Sequence, residues 1–157
     1  MQGIKRASQW GYSLFEFEIY GKTKKVEDLS PVHFIKLLLT DQNGKLISDN
    51  FYWRSGKSAD YTDLDKLPKA KLQITSSITE KDGKNIIVAD IKNVGKAVAF
   101  AIHVQAIDNK GERILPAIMN DNYFTLMKGE TKHIDIEFEH NLLRNGTYKL
   151  VVEPYNK

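Results

Sequence analysis

The sequence predicts an all-β protein, with one complete immunoglobulin-like β-sandwich preceded by a partial or abbreviated one. Three observations carry that reading. Apolar and polar residues alternate with a period of two through one segment after another, as on a strand with one buried face. Turn residues such as Asn-Gly and Asp-Gly separate these segments at intervals of about 8 to 12 residues. No stretch has a helical period. The division falls between residues 66 and 67, giving a partial β unit with a linker over 1–66 and a complete sandwich over 67–157.

The first strand runs from Leu14 to Tyr20, with Phe15, Phe17 and Ile19 on one face and Glu16 and Glu18 on the other, and Gly21 closes it. After a lysine-rich turn and Pro31, Phe34–Thr40 is an apolar run around a single Lys36, which marks a more deeply buried strand. Asp41, Gln42, Asn43 and Gly44 supply a hairpin turn, because Asn-Gly suits backbone with positive φ. Lys45–Trp53 returns as a further strand. Three or four strands are fewer than the roughly seven of a complete sandwich, so this unit is incomplete. The seam from Asp49 to Pro68 begins in the aromatic residues Phe51, Tyr52 and Trp53 and ends in a polar stretch that stops at proline.

In the second unit Leu72, Ile74, Ser76 and Ile78 alternate with polar partners, and Asp82-Gly83 turns the chain. Ile87, Ala89 and Ile91 follow on a strand ending at Asn93 and Gly95. Next, Val98, Phe100, Ile102 and Val104 form a core face opposite Ala99, Ala101, His103 and Gln105, closed by Asn109-Lys110-Gly111. A short strand is expected around Ile114, then another over Tyr123–Met127 before Lys128-Gly129. Ile134, Ile136 and Phe138 face inward while His133, Asp135, Glu137 and Glu139 face out. Asn145-Gly146 leads into a last strand whose Tyr148, Leu150 and Val152 share a face before Pro154 stops the pairing.

Composition narrows the function classes. The chain of 157 residues, 27% charged and 41% hydrophobic, is ordinary for a folded globular protein and too short for a (β/α)₈ barrel of about 250 residues. Its net charge of +3 is spread as 10 basic and 9 acidic residues over 1–66 and 13 and 11 over 67–157. The cluster Lys22, Lys24 and Lys25 lacks interleaved aromatics, so nucleic acid is not an expected partner. Nothing approaches the roughly 20 apolar residues of a membrane span, and the absence of cysteine excludes disulfides and thiolate sites.

No catalytic, cofactor-binding or metal-ligating constellation emerges. His33, His103, His133 and His140 have no metal spacing. Asp135 and Glu137 sit on an exposed alternating face, where carboxylates are solvated or paired with lysines. Asn120, Asp121 and Asn122 could ligate a cation through oxygen, but three such residues entering a strand more commonly satisfy backbone groups. The Asn145-Gly146-Thr147 sequon is equally a hairpin turn. Trp10, Tyr52, Trp53, Tyr61 and Tyr123 are candidates for a carbohydrate platform, or for core or domain-interface positions. Of these Tyr52, Trp53, Tyr61 and Tyr123 are the candidate interface or sugar-stacking residues.

Taken together, Asp49-Asn-Phe-Tyr-Trp53, Asp60-Tyr61 with Leu64 and Leu67-Pro68, and Asp121-Asn-Tyr-Phe124 with Leu126 and Gly129-Glu130 form a series. It resembles the C-terminal immunoglobulin-like domains of glycoside hydrolase family 2 enzymes of the β-mannosidase and exo-β-D-glucosaminidase type, over roughly Phe34 to Phe138. Gly3-Ile-Lys-Arg-Ala-Ser8 faintly resembles the stretch where such chains leave the barrel, with too few residues before Asn50 for a full sandwich. The first domain is then either abbreviated or entered part-way. Lys128 stands where the family commonly has proline.

The resemblance implies a non-catalytic accessory module in carbohydrate metabolism. Its partners are the catalytic barrel and other domains of the parent chain, and it requires no cofactor. The family's catalytic glutamates lie on the barrel and none corresponds to a residue here. A periplasmic or cell-surface location in a bacterium follows from the family alone. The alternatives are an autonomous carbohydrate-binding module, for which carbohydrate itself is the partner, and a surface protein-interaction sandwich.

Overall fold

A computed structural model describes residues 5–9, 12–17, 29–56, 59–143 and 147–157, with backbone alone for 5–9 and 12–17. The inward face expected of Phe15, Phe17 and Ile19, the closing Gly21, the lysines at Lys22, Lys24 and Lys25, and the Asn145-Gly146 turn lie outside what is described. The chain divides into two compact units, Met1–Leu67 and Pro68–Lys157.

The first unit holds β1 (Lys5–Gln9), β2 (Tyr12–Phe17), β3 (Val32–Thr40) and β4 (Leu46–Ser55) in one sheet of order β1-β2-β3-β4. β2 and β3 run parallel and the other pairs antiparallel. Parallel neighbours need a crossover of a dozen or more residues, and the stretch between Phe17 and Val32 is long enough to supply one. On β3 the period of two puts Val32, Phe34 and Lys36 on one face, and all three are buried. The hairpin to β4 is fixed by Asp41. Its Oδ1 accepts the N–H groups of Asn43 and Lys45 at 2.8 and 2.9 Å, while Gly44 takes a φ of +80° that a side chain would oppose. A 3₁₀ turn over Thr62–Lys66 buries Leu64 at the end of the unit.

The second unit has seven strands among the described residues: β5 (Leu72–Lys81), β6 (Lys84–Asn93), β7 (Ala99–Ile107), β8 (Ile118–Met119), β9 (Phe124–Leu126), β10 (Thr131–Glu139) and β11 (Lys149–Glu153). They form a sheet of order β5-β6-β10-β8 and a sheet of order β11-β7-β9, the four-plus-three division of a seven-stranded sandwich. β5 and β6 are joined by the two-residue turn Asp82-Gly83, both at positive φ as a tight hairpin requires. Ile87 and Ile91 of β6, Ile134 and Ile136 of β10, and Ile102 and Val104 of β7 fill the core from both sheets. Tyr148, Leu150 and Val152 pack against it from the β11 side.

Two expectations need correction. Uniform alternation places Val98 and Phe100 on the core face with Ile102 and Val104. In the structure Ala99 pairs with Leu126 and Ile102 with Phe124, three residues against two, so β7 carries one extra residue. That bulge sits at Ala101, whose φ is +46° and whose N–H donates to Thr125 Oγ1. The extra residue reverses the parity, and Ala99 takes the core position. Phe100 is buried elsewhere, edge-on to Tyr155 with ring centroids 5.9 Å apart. Second, no strand forms around Ile114. A single bridge joins Arg113 to Ile107, and the strand appears at Ile118–Met119, while Ile114 is a core residue.

The strand ends are closed by side-chain amides. Asn93, fully buried, donates from Nδ2 to the carbonyls of Ala97 (2.8 Å) and Leu126 (3.0 Å) and accepts the Gly95 N–H at Oδ1. Asn156 donates to the carbonyls of Pro68 and Val98 and accepts the Phe100 N–H, so β7 and the start of the unit are tied to the same side chain. On the outer face His133 of β10 stands opposite Asp90 of β6, with Nδ1 2.9 Å from the carboxylate and Nε2 3.4 Å from Asp135. The Asp90 hydrogen bond, together with the charges of Asp135 and Asp90, holds the imidazole pKa above its ordinary 6.5 against a smaller desolvation effect.

Outcomes follow for three residues. Asn93→Ala removes the amide from two buried carbonyls, while the Gly95 N–H keeps the Lys71 carbonyl, and is expected to cost about 2–4 kcal/mol in urea unfolding. Ile136→Ala, which opens a cavity, is expected to cost about 2–5 kcal/mol. An Asn93→Ala loss below about 1 kcal/mol would mean that the amide is replaceable. The His133 ring should titrate by NMR with a midpoint above 6.5, which Asp90→Asn lowers. Because the folded-state pKa is raised, the stability lost in His133→Gln should be fully present below pH 6.5 and fade as pH rises through the folded midpoint. A loss that grows with pH would contradict the pairing.

Candidate functional site

A shaped surface of the second unit lies beside β7, where the chain runs from Asp108 to Tyr123. Asp108 starts the segment by accepting the N–H groups of Lys110 and Glu112 at Oδ1, which curls the backbone through Gly111 at a φ of +83°. Ile114 then donates its N–H to the Ala106 carbonyl and buries its side chain, drawing the loop back onto β7. Between loop and strand lies an open cleft of about 360 Å³, lined by His103, Gln105, Arg113, Leu115, Met119 and Asp121 among others.

Asn120, Asp121 and Asn122 set the far wall. Asn120 accepts the Asp135 N–H and donates to the His133 carbonyl, which pins the loop to β10. Asp121 accepts the Asn122 N–H and holds Lys132 at 2.6 Å. Asn122 donates to the Val104 carbonyl (3.0 Å) and accepts the Val104 N–H (2.9 Å), so its amide stands in for a neighbouring strand at that residue of β7. These side chains satisfy backbone and lysine groups rather than converging on a cation. Among the described residues no group of three or more His, Asp or Glu side chains is placed to hold a metal.

Tyr123 follows in a left-handed conformation, φ +57°, its N–H donating to Asn122 Oδ1. Its ring stacks on His103 with centroids 4.6 Å apart and planes 8° from parallel, yet it remains 65% exposed. Leu115 and Ile118 on the same segment are 63% and 71% exposed. The His103 ring in turn contacts the Gln105 amide at 3.1 Å. The other histidines are scattered: His33 lies against the Ser30 carbonyl, His133 between Asp90 and Asp135, and His140 beside Glu80.

The remaining sequence candidates lie in the first unit. Tyr52 and Trp53 are exposed, but they are consecutive on β4, opposite Ile35 and Phe34, so they face opposite sides of the sheet and share no platform. Tyr61, also exposed, precedes the 3₁₀ turn and accepts the Leu64 N–H at its carbonyl. Trp10 lies outside the described residues. His103, Arg113 and Leu115 were not legible as site residues. They meet only through the register of β7 and the path of the loop, which no local pattern encodes. The cleft offers a stacking ring, an apolar rim, a guanidinium and one carboxylate.

Comparison with known proteins places this architecture. The family described as the exo-β-D-glucosaminidase Ig-fold domain matches residues 50–157. The chain is 27% identical to an exo-β-D-glucosaminidase of Amycolatopsis orientalis over 83% of its own length and 15% of the relative's. It is 32% identical to a mannosylglycoprotein endo-β-mannosidase of Lilium longiflorum over 74% of its length and 13% of the relative's. The crystal structure of the Amycolatopsis orientalis exo-chitosanase CsxA superposes with a TM-score of 0.78 at 26% identity, covering 86% of this chain and 18% of that one. The chain thus spans less than a fifth of the length of these relatives. The resemblance to family 2 glycoside hydrolases holds, and of the two enzyme types it pointed to, exo-β-D-glucosaminidase is the better supported, with mannosidase present as a relative. This chain belongs to the family of exo-β-D-glucosaminidase immunoglobulin-fold domains.

Proposed function

We propose that the chain is a non-catalytic C-terminal accessory module of a family 2 exo-acting β-glycosidase of the exo-β-D-glucosaminidase type, packing against and supporting the catalytic barrel. The observation that carries this reading is the small share of its relatives that it matches, 15% of the Amycolatopsis orientalis enzyme. The rest of such a protein has ample length for a barrel of about 250 residues. In this reading the two carboxylates of the retaining mechanism belong to the barrel. On the same reading residues 1–66 are the partial immunoglobulin-like unit with its linker and 67–157 the complete domain, one residue from the division between compact units at Leu67 and Pro68.

The purified chain is expected to release no product from an aryl β-D-glucosaminide or an aryl β-mannoside. An antibody raised against it should detect, in lysate of the source organism, a polypeptide far larger than 18.0 kDa. Turnover by the chain alone, or a native band at 18.0 kDa, would overturn the proposal.

A further inference from the structure

We infer that the surface around the β7 cleft, formed by Leu115 and by Tyr123 stacked on the cleft's His103, with Arg113 beside them, is the face through which this domain docks on another domain of the same polypeptide. This inference rests on the accessory-module reading and adds which surface makes the contact and what chemistry it meets. Leu115, which lines the cleft, and Tyr123, stacked on the cleft's His103, are 63% and 65% exposed. Such a concentration of large apolar side chains at a concave site marks an interaction surface, whereas isolated exposed leucines do not.

Tyr123 strengthens the case because its position is imposed. A bulky residue at positive φ is a backbone outlier, and such strain persists only where the surroundings enforce it. Here the Asn122 amide is locked to both backbone groups of Val104 and also accepts the Tyr123 N–H. The ring is then backed by His103 on one face. The result is a rigid aromatic that projects outward with little freedom left to lose on contact.

Charge identifies the occupant. The Arg113 guanidinium lines the cleft and makes no ion pair or hydrogen bond among the described residues. Asp121, the carboxylate of the cleft, is held by Lys132. An unpaired guanidinium beside Tyr, Met and aliphatic side chains is the composition of protein–protein contact centres, which are enriched in Tyr, Met and Arg. It disfavours an amino sugar, whose ammonium it would repel. The complementary surface is therefore a protein surface with an apolar centre and a carboxylate placed to receive Arg113. With relatives of which the chain spans 15–18%, the remainder of the polypeptide is the natural source of that surface.

Hydroxyl-radical footprinting compares the 157-residue chain with the full-length native polypeptide. Leu115 and Tyr123 should label freely in the former and about fivefold less in the latter, as in a contact that excludes water. Arg113→Glu should lower the melting temperature of the full-length protein and leave that of the 157-residue chain unchanged. Equal labelling in a long native polypeptide sinks this face while leaving the module reading intact. A native polypeptide of 18.0 kDa sinks the reading itself. Protection already present in the 157-residue chain, protection that rises with its concentration, or protection that needs added chitosan oligosaccharide would each overturn the inference in favour of a contact within the chain, a second copy or a sugar.

Discussion

A buried backbone N–H or carbonyl must find a partner, and a sandwich is most exposed to that requirement where its strands stop or change neighbours. In the second unit the requirement is met by three asparagine side chains. Asn93 closes the end of β6 over the turn to β7 and the end of β9. Asn156 joins Pro68, Val98 and Phe100. Asn122 gives Val104 both halves of a strand pairing that no strand supplies at that point. An amide is suited to all three positions because it donates and accepts in one plane, as a peptide group does. The hydrophobic core determines that two sheets face each other, and these amides determine how the sheets end. The shape of the cleft is a consequence of the third.

Much of the fold was legible because a strand with one buried face writes its orientation into the sequence every two residues. β6 and β10 are the clearest cases: Ile87, Ala89 and Ile91, and Ile134, Ile136 and Phe138, are all inward. Alternation misleads at β7 for a specific reason. From Val98 to Ala106 nearly every residue is apolar or small, so a bulge at Ala101 leaves no trace in the pattern, and the parity reverses unannounced. Ile114 shows the complementary failure. A buried isoleucine looks the same in sequence whether it sits on a strand or on a loop drawn against one.

The candidate site was less legible still. Tyr52 and Trp53 stand out as neighbouring aromatics, but neighbours on a strand point apart, so sequence proximity was evidence against a shared platform. Tyr123 could be singled out by its place in Asp-Asn-Tyr-Phe, whereas its partner His103 lies 20 residues away on a strand whose register depends on the bulge. Arg113 and Leu115 carry no local signal. Their importance comes from what surrounds them, and that is decided by the loop returning to β7 through the Ile114 N–H.

The bond from Asn156 to Pro68 joins residues 88 positions apart. A ribosome delivers the chain from its N-terminus, so the second unit cannot complete its closure until Asn156 has emerged, long after its first strand. Until then β5 and β6 can pair as a local hairpin, but the end of β7 lacks its amide and the opening of the unit lacks its tether. Long-range closures of this kind are slow, because chain entropy is spent before the contact is made. The unit therefore matures only as its last residues appear, which leaves time for any segment made earlier to settle and offer it a finished surface.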